Sequence, residues 1–397
     1  MDLTLDPLAR QPTELLPRLK ALDVEFERTA AQESTSLITP FDFLSCEQIG
    51  DAPALLQALY SDHFLGLPQI ESQNNVVVTG PRGCGKTTVF RSLSLDQKLH
   101  VQAASPEETR YVGLYYRCDD LYFAFPRYSV PDRPEAIDIP IHFITATLLA
   151  RFLDLLEVWG RRYFPADFSR EEVKAAETLW TLLGVEPPQT PNYASFKAIV
   201  SRLNKERLKA ADRHRFANDP KRVIGLCFGP DVLPQSCRAL RDTLSFLRNR
   251  PIYFFIDDYS IPKVTRDLQA NLNRLFMQRS SVCFFKLSTE SPVSFAKDDI
   301  DEKIYVESRE FILQNLGLVY LHAGLATKLT FIEDVFRRRL RQSKTNFYAK
   351  ELDELVGSNT DGNNNDIARQ LRDNRKPVLF GKQVLGNLCS GDIHFPD

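Results

Sequence analysis

The sequence predicts an α/β fold in which helices flank a parallel β-sheet. Four short runs of apolar, β-branched and aromatic residues are typical of buried strands, and stretches with helical periodicity separate them. The runs cover residues 75–79, 111–118, 252–256 and 282–287. Strands that alternate with helices favour parallel pairing, because each helical crossover returns the chain to the same end of the sheet. A fifth, shorter strand is predicted at residues 304–306.

Three segments organise the chain. Residues 1–40 are predicted to form a helical arm, residues 41–315 the α/β domain, and residues 316–397 a helical lid. Residues 119–250 form a long, largely helical insert between the second and third strands. Helices are predicted at 52–60, 141–159, 170–183, 193–213, 264–278, 327–342, 346–356, 364–374 and 381–390.

The composition excludes several classes of protein. The 397 residues carry a net charge of −2, so no global basic field attracts the chain to nucleic acid or membrane. Seven scattered cysteines form no C-x-x-C pair, which disfavours a disulfide framework or a zinc site. No signal peptide is evident at the N-terminus, and no apolar run approaches the roughly 18 residues that span a bilayer. We therefore expect a soluble, cytoplasmic protein without a membrane partner.

The residues after the first strand match the phosphate-binding pattern G-x-x-x-x-G-K-[ST], the Walker A loop. They are Gly80, Pro81, Arg82, Gly83, Cys84, Gly85, Lys86 and Thr87, followed by Thr88. A glycine-rich turn between a strand and a helix directs backbone N–H groups and the positive end of the helix dipole at a polyphosphate. Lys86 is predicted to reach the β- and γ-phosphates of ATP, and the Thr87 hydroxyl to ligate Mg²⁺. The alternative, an accidental glycine-rich turn, does not explain the preceding strand.

A second half of the site is predicted at the ends of the third and fourth strands. Asp257 is the candidate Walker B aspartate that holds Mg²⁺, and Asp258 can orient or deprotonate the attacking water. A helix N-cap is the alternative role for Asp258. The fourth strand ends in Ser288 and Thr289, and either hydroxyl, with Ser288 preferred, can touch the γ-phosphate or the water. Each hydroxyl can equally be an ordinary polar residue at a strand end.

Rival classes of nucleotide-binding protein lack their signatures in this sequence. The Asn/Thr-Lys-x-Asp motif that reads guanine is absent from residues 286–289, and no Leu-Ser-Gly-Gly-Gln run of ABC ATPases occurs. ATP is therefore the expected nucleotide.

The order of these motifs resembles the AAA+ superfamily, and more narrowly bacterial relatives of the origin-recognition-complex and Cdc-type loader ATPases. The residues that carry the resemblance are 80–88, 112–118, 254–258, 287–289 and 390–393. It implies a Mg²⁺-dependent ATPase with a sensor-1 residue at Ser288. Many such proteins carry Glu at the position of Asp258, and the shorter Asp implies slow hydrolysis.

The sequence also departs from that group. A Gly-Asp-x-Arg stretch in the lid of those ATPases carries the sensor-2 arginine, whereas Gly391, Asp392 and Ile393 are followed here by His394. Those ATPases continue into a winged-helix DNA-binding domain, which the sequence up to Asp397 does not supply. Arg279 and Arg309, the latter placed after the predicted fifth strand, are candidate arginine fingers.

The predicted function is that of an ATP-dependent switch or loader that acts on a macromolecular partner or on itself by assembly. The alternative is a STAND-like signalling ATPase with slow turnover, for example in bacterial anti-phage defence. Two basic stretches, 202–222 and 337–341, either meet nucleic acid or an acidic partner, or form solvated helix surfaces. Because neither carries a base-reading signature, we expect only weak binding of nucleic acid by this chain.

Overall fold

A computed structural model describes residues 46–49, 52–101, 104–126, 128–131, 137–216 and 228–342. Within them, five strands form one sheet in the order β2-β3-β4-β1-β5, and every neighbouring pair is parallel. The strands are β1 (Val76–Thr79), β2 (Val112–Arg117), β3 (Ile252–Asp257), β4 (Cys283–Thr289) and β5 (Ile312–Asn315). The predicted α/β class with a parallel sheet is confirmed.

The fifth strand lies later in the chain than predicted. Ile304 forms only an isolated antiparallel bridge with Asp298, and 71% of Ile304 is exposed. The fifth strand of the sheet is β5, which pairs with β1 at the edge of the sheet and in which Ile312 and Leu313 precede two polar residues. An edge strand that is only half-buried needs no apolar run, so its sequence lacks the signal of a central strand.

Each face of the sheet packs against its own group of helices. Alternate residues of β1 point to opposite faces, so Val76 and Val78 lie in one apolar cluster and Val77 in the other. The helices that pack with Val76 and Val78 include α2 (Leu67–Ile70), α3 (Lys86–Leu93), α11 (Leu316–His322) and α12 (Leu325–Gln342). A small third cluster forms around α1 (Pro53–Leu59), which also contacts α12.

The predicted insert forms the helical layer on the opposite face. The cluster that contains Val77 also takes apolar residues from α4 (Leu95–His100), α5 (Asp119–Ala124), α6 (Ile139–Tyr163), α7 (Pro165–Leu182), α8 (Tyr193–Phe216), α9 (Val232–Thr243) and α10 (Arg266–Phe276). Trp159 of α6 is fully buried, and its indole N–H donates to the carbonyl of Ala104 at 3.0 Å. The insert therefore completes the core of the α/β domain.

Helix α6 is long and apolar enough to cross a membrane, so the expectation that no segment meets that criterion is wrong. However, 72% of its apolar window is buried inside the protein. That degree of burial is typical of a core helix, which must be apolar around most of its circumference.

Several predicted features lie outside the described residues. These are the helical arm at 1–40, the lid helices at 346–356, 364–374 and 381–390, and the stretch from 390 to 394 that was compared with a sensor-2 motif. Of the predicted lid, the structure describes α11 and α12.

Lys286, in the middle of β4, is an ionisable residue in the core. Its ammonium donates to the carbonyl oxygens of Ser72 at 2.5 Å and Asn74 at 2.6 Å, and it lies 4.6 Å from the centre of the Tyr253 ring. Burial lowers the pKa of Lys286 to about 7, and the charge of nearby Glu71 opposes this shift. Since the unfolded chain holds this proton more tightly, the buried lysine destabilises the fold most at low pH.

Lys286→Met should therefore change how stability depends on pH. Between about pH 7.5 and 9.5 the unfolded lysine is protonated and the folded one is not, so the wild type should gain roughly 2 kcal/mol of unfolding free energy relative to the variant. Urea unfolding of both proteins across this range measures the difference. A constant difference would show that Lys286 keeps an ordinary pKa in the folded chain.

Candidate nucleotide-binding and hydrolysis site

The candidate site lies where β1, β3 and β4 end. Thr79 at the end of β1 pairs with Thr289 at the end of β4, and Asp257 ends β3 on the other side of β4. Parallel α/β sheets bind ligands at the carboxyl ends of their strands, because loops and helix N-termini converge there. The sheet order thus brings the predicted Walker A and Walker B residues together at the carboxyl-terminal end of the sheet.

The Walker A loop connects β1 directly to α3. Gly83 and Gly85 adopt left-handed φ angles of 85° and 89°, which glycine tolerates without a steric cost. A Cβ atom on Gly85 would approach a ring carbon of Phe64 to 3.2 Å. Helix α3 begins at Lys86, so its N-terminus faces the loop as a phosphate-binding turn requires.

The remaining loop residues differ in exposure. Pro81 and Arg82 are exposed, Cys84 is buried, and Thr87 and Thr88 at the start of α3 are half-buried.

The ammonium of Lys86 lies inside the loop. It donates to the carbonyl of Gly80 at 2.6 Å and to that of Pro81 at 2.9 Å. Arg82 points outward and forms an ion pair with Glu290 at 2.7 Å, just beyond the end of β4. The loop therefore concentrates one partly buried and one peripheral cation near the predicted phosphate position.

Asp257 is buried, with only 2% exposed, and both carboxylate oxygens accept hydrogen bonds. The Ser288 hydroxyl donates to Oδ1, and the Tyr115 hydroxyl donates to Oδ2 at 2.9 Å. Burial, and then the charge and hydrogen bond of Asp257, raise the pKa of Tyr115, which keeps its hydroxyl protonated as a donor. Two neutral donors from β2 and β4 thus fix the orientation of the carboxylate.

Ser288 links the two aspartates. Its hydroxyl donates to Asp257 and accepts from the backbone N–H of Asp258 at 2.9 Å. Thr289, the other candidate, donates its hydroxyl to the carbonyl of Ser291 at 3.0 Å. Of the two hydroxyls at the end of β4, Ser288 is the one that contacts the aspartate pair.

Asp258 has an uncommon backbone conformation and a charged environment. Its φ angle is 62°, in the left-handed region. Its carboxylate contacts the ammonium of Lys263 and lies 3.6 Å from a guanidinium nitrogen of Arg117. The alternative role as a helix N-cap is wrong, because Thr265 caps α10 by accepting from the N–H of Leu268.

Sequence reasoning missed three residues of this site: Tyr115, Arg117 and Lys263. A tyrosine within a buried strand needs a partner for its hydroxyl, which is the one signal in the sequence that could have drawn attention to Tyr115. Arg117 ends β2 and pairs in register with Asp257, but strand order is not readable from one sequence. Lys263 lies in an irregular turn without any motif.

The candidate arginine fingers lie at the amino-terminal ends of the strands, opposite the candidate site. Arg279 donates to the carbonyl of Arg309 at 2.7 Å, and the two guanidinium groups lie 3.8 Å and 3.4 Å from the Glu310 carboxylate. Both precede a strand, β4 and β5 respectively, so the prediction that Arg309 follows the fifth strand is wrong. Neither can reach the Walker A loop of its own chain.

The predicted basic stretches are only partly described. Arg202 and Lys205 are exposed on α8, and Arg202 lies 3.9 Å from Glu206. In the lid, Arg338 forms ion pairs with Asp334 at 2.7 Å and with Asp62 at 3.7 Å. Arg338 therefore joins α12 to the segment before β1.

The sequence profile of the ORC-CDC6-like family matches residues 53–385, which include the whole sheet, both Walker motifs and the described lid helices. The chain belongs to the ORC-CDC6-like family. No curated protein and no solved structure matches it. Membership identifies the chain as an AAA+ ATPase module with a P-loop fold. The resemblance predicted from the motifs is confirmed at this level.

Tyr115→Phe should weaken Mg²⁺ binding at this ORC-CDC6-like site. The change removes only the hydroxyl that orients Asp257, a hydrogen bond to a charged group worth about 1.5–3 kcal/mol. We expect the Mg²⁺ concentration needed for half of the ATP-induced rise in Tm to increase several-fold. Tyr122→Phe, at a tyrosine that is 46% exposed, is the matched control. Equal Mg²⁺ dependence in all three proteins would rule out a role for Tyr115.

Proposed function

We propose that the chain binds ATP with Mg²⁺, hydrolyses it to ADP and phosphate, and works as a nucleotide-dependent switch. One observation carries the proposal. A Walker A loop with Lys86 inside it lies at the carboxyl-terminal end of the sheet. A buried aspartate, Asp257, lies at the same end, and hydroxyl groups donate to both of its carboxylate oxygens. A cation that neutralises phosphates and a fixed carboxylate for a metal are the parts that phosphoryl transfer requires.

The residues present fit Mg²⁺. The candidate ligands are the Thr87 hydroxyl and the Asp257 carboxylate, which are hard oxygen donors. Mg²⁺ prefers such donors and retains several waters beside them. Bound there, Mg²⁺ would neutralise charge on the phosphates. Lys86 would exchange its contacts with the carbonyls of Gly80 and Pro81 for phosphate oxygens.

Hydrolysis needs a positioned water. Its oxygen would bond to the γ-phosphorus while the bond from that phosphorus to the β,γ-bridging oxygen breaks, and the leaving group is ADP. Asp258 is the candidate to hold this water and accept its proton, and Ser288 fixes the backbone of Asp258. Mutual placement of these groups supports the assignment.

Contacts between the loop and the lid support the role of a switch. Phe64 lies beside Gly85 of the Walker A loop, and its ring meets Phe331 of α12 edge-on with the centroids 6.1 Å apart. Phe331 also contacts Tyr320 of α11. A nucleotide that rearranges the loop would therefore bias the packing of both described lid helices, which is the differential contact a switch needs.

Two kinds of output fit such a switch. A loader would turn over ATP while it acts on a macromolecule, and a STAND-like signalling protein of the cytoplasm would bind ATP, assemble and hydrolyse slowly. The ion pair between Asp258 and Lys263 favours slow turnover. Self-assembly would bring Arg279 and Arg309 of one copy to the site of the next, since both side chains are exposed.

Lys86→Ala should abolish ATP binding, because it removes the ammonium from the Walker A loop. In the wild type, ATP with Mg²⁺ should raise the unfolding free energy by about 2.7 kcal/mol at a hundredfold excess over Kd, and GTP by less. Thermal unfolding with each nucleotide measures both effects. Lys174→Ala, at an exposed lysine of α7, is the control. An ATP-induced shift that survives in Lys86→Ala would contradict the proposed site.

DNA binding by the chain should be weak and should fall steeply with salt. With a net charge of −2, any affinity would come from a few phosphate contacts and counterion release. Fluorescence anisotropy with several unrelated duplexes at two salt concentrations tests this. Tight binding that survives high salt would favour the loader over the signalling switch.

A further inference from the structure

We propose that Lys263 is a positioning residue that restrains ATP hydrolysis by holding the Asp258 carboxylate in an ion pair. The inference rests on the proposed function, because it concerns how the same site turns over. It assigns a role to a residue that lies outside the Walker motifs, in the turn between β3 and α10.

Lys263 belongs to a closed cluster of two cations and two anions. Its ammonium contacts Oδ2 of Asp258 and lies 3.4 Å from Oδ1 of Asp119. The other cation, Arg117, lies 2.9 Å from Oδ2 of Asp119 and 3.6 Å from Oδ2 of Asp258. Lys263 makes the closer of the two cation contacts with Asp258, so it has the larger influence on where the carboxylate points.

Hydrogen bonds hold the backbone of Asp258 and of the residue that follows it. Its φ angle of 62° is sparsely populated, and its N–H is held by the Ser288 hydroxyl at 2.9 Å. The next residue is fixed as well, since the N–H of Tyr259 donates to the carbonyl of Ser288 at 2.8 Å. Rotation of the Asp258 side chain is therefore the simplest way to redirect the carboxylate, and that rotation breaks the ion pair.

Stability alone does not account for the cluster. The side chains of Asp258, Lys263 and Arg117 are 24%, 38% and 31% exposed, and ion pairs with such access to solvent contribute little to folding. The same exposure leaves the carboxylate within reach of water.

Lys263 keeps its charge at neutral pH. Burial alone would lower its pKa, but the hydrogen bond and charge of Asp258, together with the charge of Asp119, outweigh that effect and raise it. A carboxylate that accepts from a permanent ammonium must exchange that partner before it can take a proton from water. The partners of Asp257, in contrast, are neutral hydroxyl groups, which leave its charge available.

Lys263→Met is the first test. We expect kcat for ATP hydrolysis to rise several-fold with little change in KM, because the carboxylate is freed while the Walker A loop is unchanged. Lys263→Arg keeps a cation and should hold turnover below that of Lys263→Met. Lys174→Met, at the exposed lysine of α7, is the matched control for loss of a surface ammonium.

The rise must also depend on Asp258. Asp258→Asn tolerates the left-handed backbone and removes the charge, so the double variant Lys263→Met/Asp258→Asn should lose the activation. If Lys263→Met raised kcat by the same factor in the wild type and in the Asp258→Asn background, the proposal would be overturned. So would a fall in kcat for Lys263→Met, which would make Lys263 an assisting residue.

A measurement without nucleotide tests the ion pair separately. Tm is compared for the wild type, Lys263→Met, Asp258→Asn and the double variant. If the two side chains interact, the double variant should lose less Tm than the sum of the two single changes. Such coupling is small for a partly exposed pair, so a positive Tm cycle supports the proposal, and a kcat for Lys263→Met no higher than that of the wild type overturns it.

The same experiments separate this inference from the proposed function. If the wild type hydrolyses ATP, Lys86→Ala does not, and Lys263→Met is no faster than the wild type, then only the restraint fails. If no variant hydrolyses ATP above the level of Lys86→Ala, the proposed function fails, and the inference fails with it.

Discussion

A buried carboxylate destabilises a fold by several kcal/mol unless donors satisfy both of its oxygens, and Asp257 is buried at the end of β3. Ser288 from β4 and Tyr115 from β2 supply those donors from the two neighbouring strands. The arrangement requires β3 to lie between β2 and β4 with all three strands parallel, so that their ends meet. Burial of Asp257 therefore constrains both the strand order and the register, because its two oxygens find donors only when both are correct.

The two faces of the sheet pack against different groups of helices. The insert helices α6 to α9, together with α10, bury one face, with aromatic contacts such as that between Phe152 of α6 and Phe254 of β3, whose ring centroids lie 5.8 Å apart. The other face carries α3 and the described lid helices, and its apolar cluster reaches Cys84 of the Walker A loop. The described helices α11 and α12 therefore share an apolar cluster with the Walker A loop.

Much of this organisation could be predicted from the sequence. Strands β1 to β4 are recognisable as apolar runs because most of their residues are buried, and the Walker A loop has a specific sequence pattern. Strand β5 could not be located, because an edge strand ending in Gln314 and Asn315 has no such run. The local pattern therefore identifies strands that are mostly buried, including β2 at the other edge, and says little about a half-buried strand such as β5.

Side-chain partners were harder to foresee. The contacts of Asp258 come from Arg117, 141 positions earlier in the chain, and from Lys263 in a turn without periodicity. Each depends on how the chain folds back on itself rather than on neighbouring residues. Ser288 was preferred over Thr289 from the sequence, but its contact with Asp257 on the neighbouring strand became visible only in the fold. The chemistry of individual residues was predictable, whereas their pairing required the fold.

The left-handed backbone at Asp258 bears on why an aspartate stands there. Short polar side chains such as Asp and Asn tolerate this conformation better than longer ones, because they can hydrogen-bond locally. Glutamate would reach one methylene further towards a water, but it would have to adopt a backbone that suits it poorly. The local geometry therefore makes a longer carboxylate costlier at this position without excluding it, since Glu302 adopts a φ angle of 60° in the same chain.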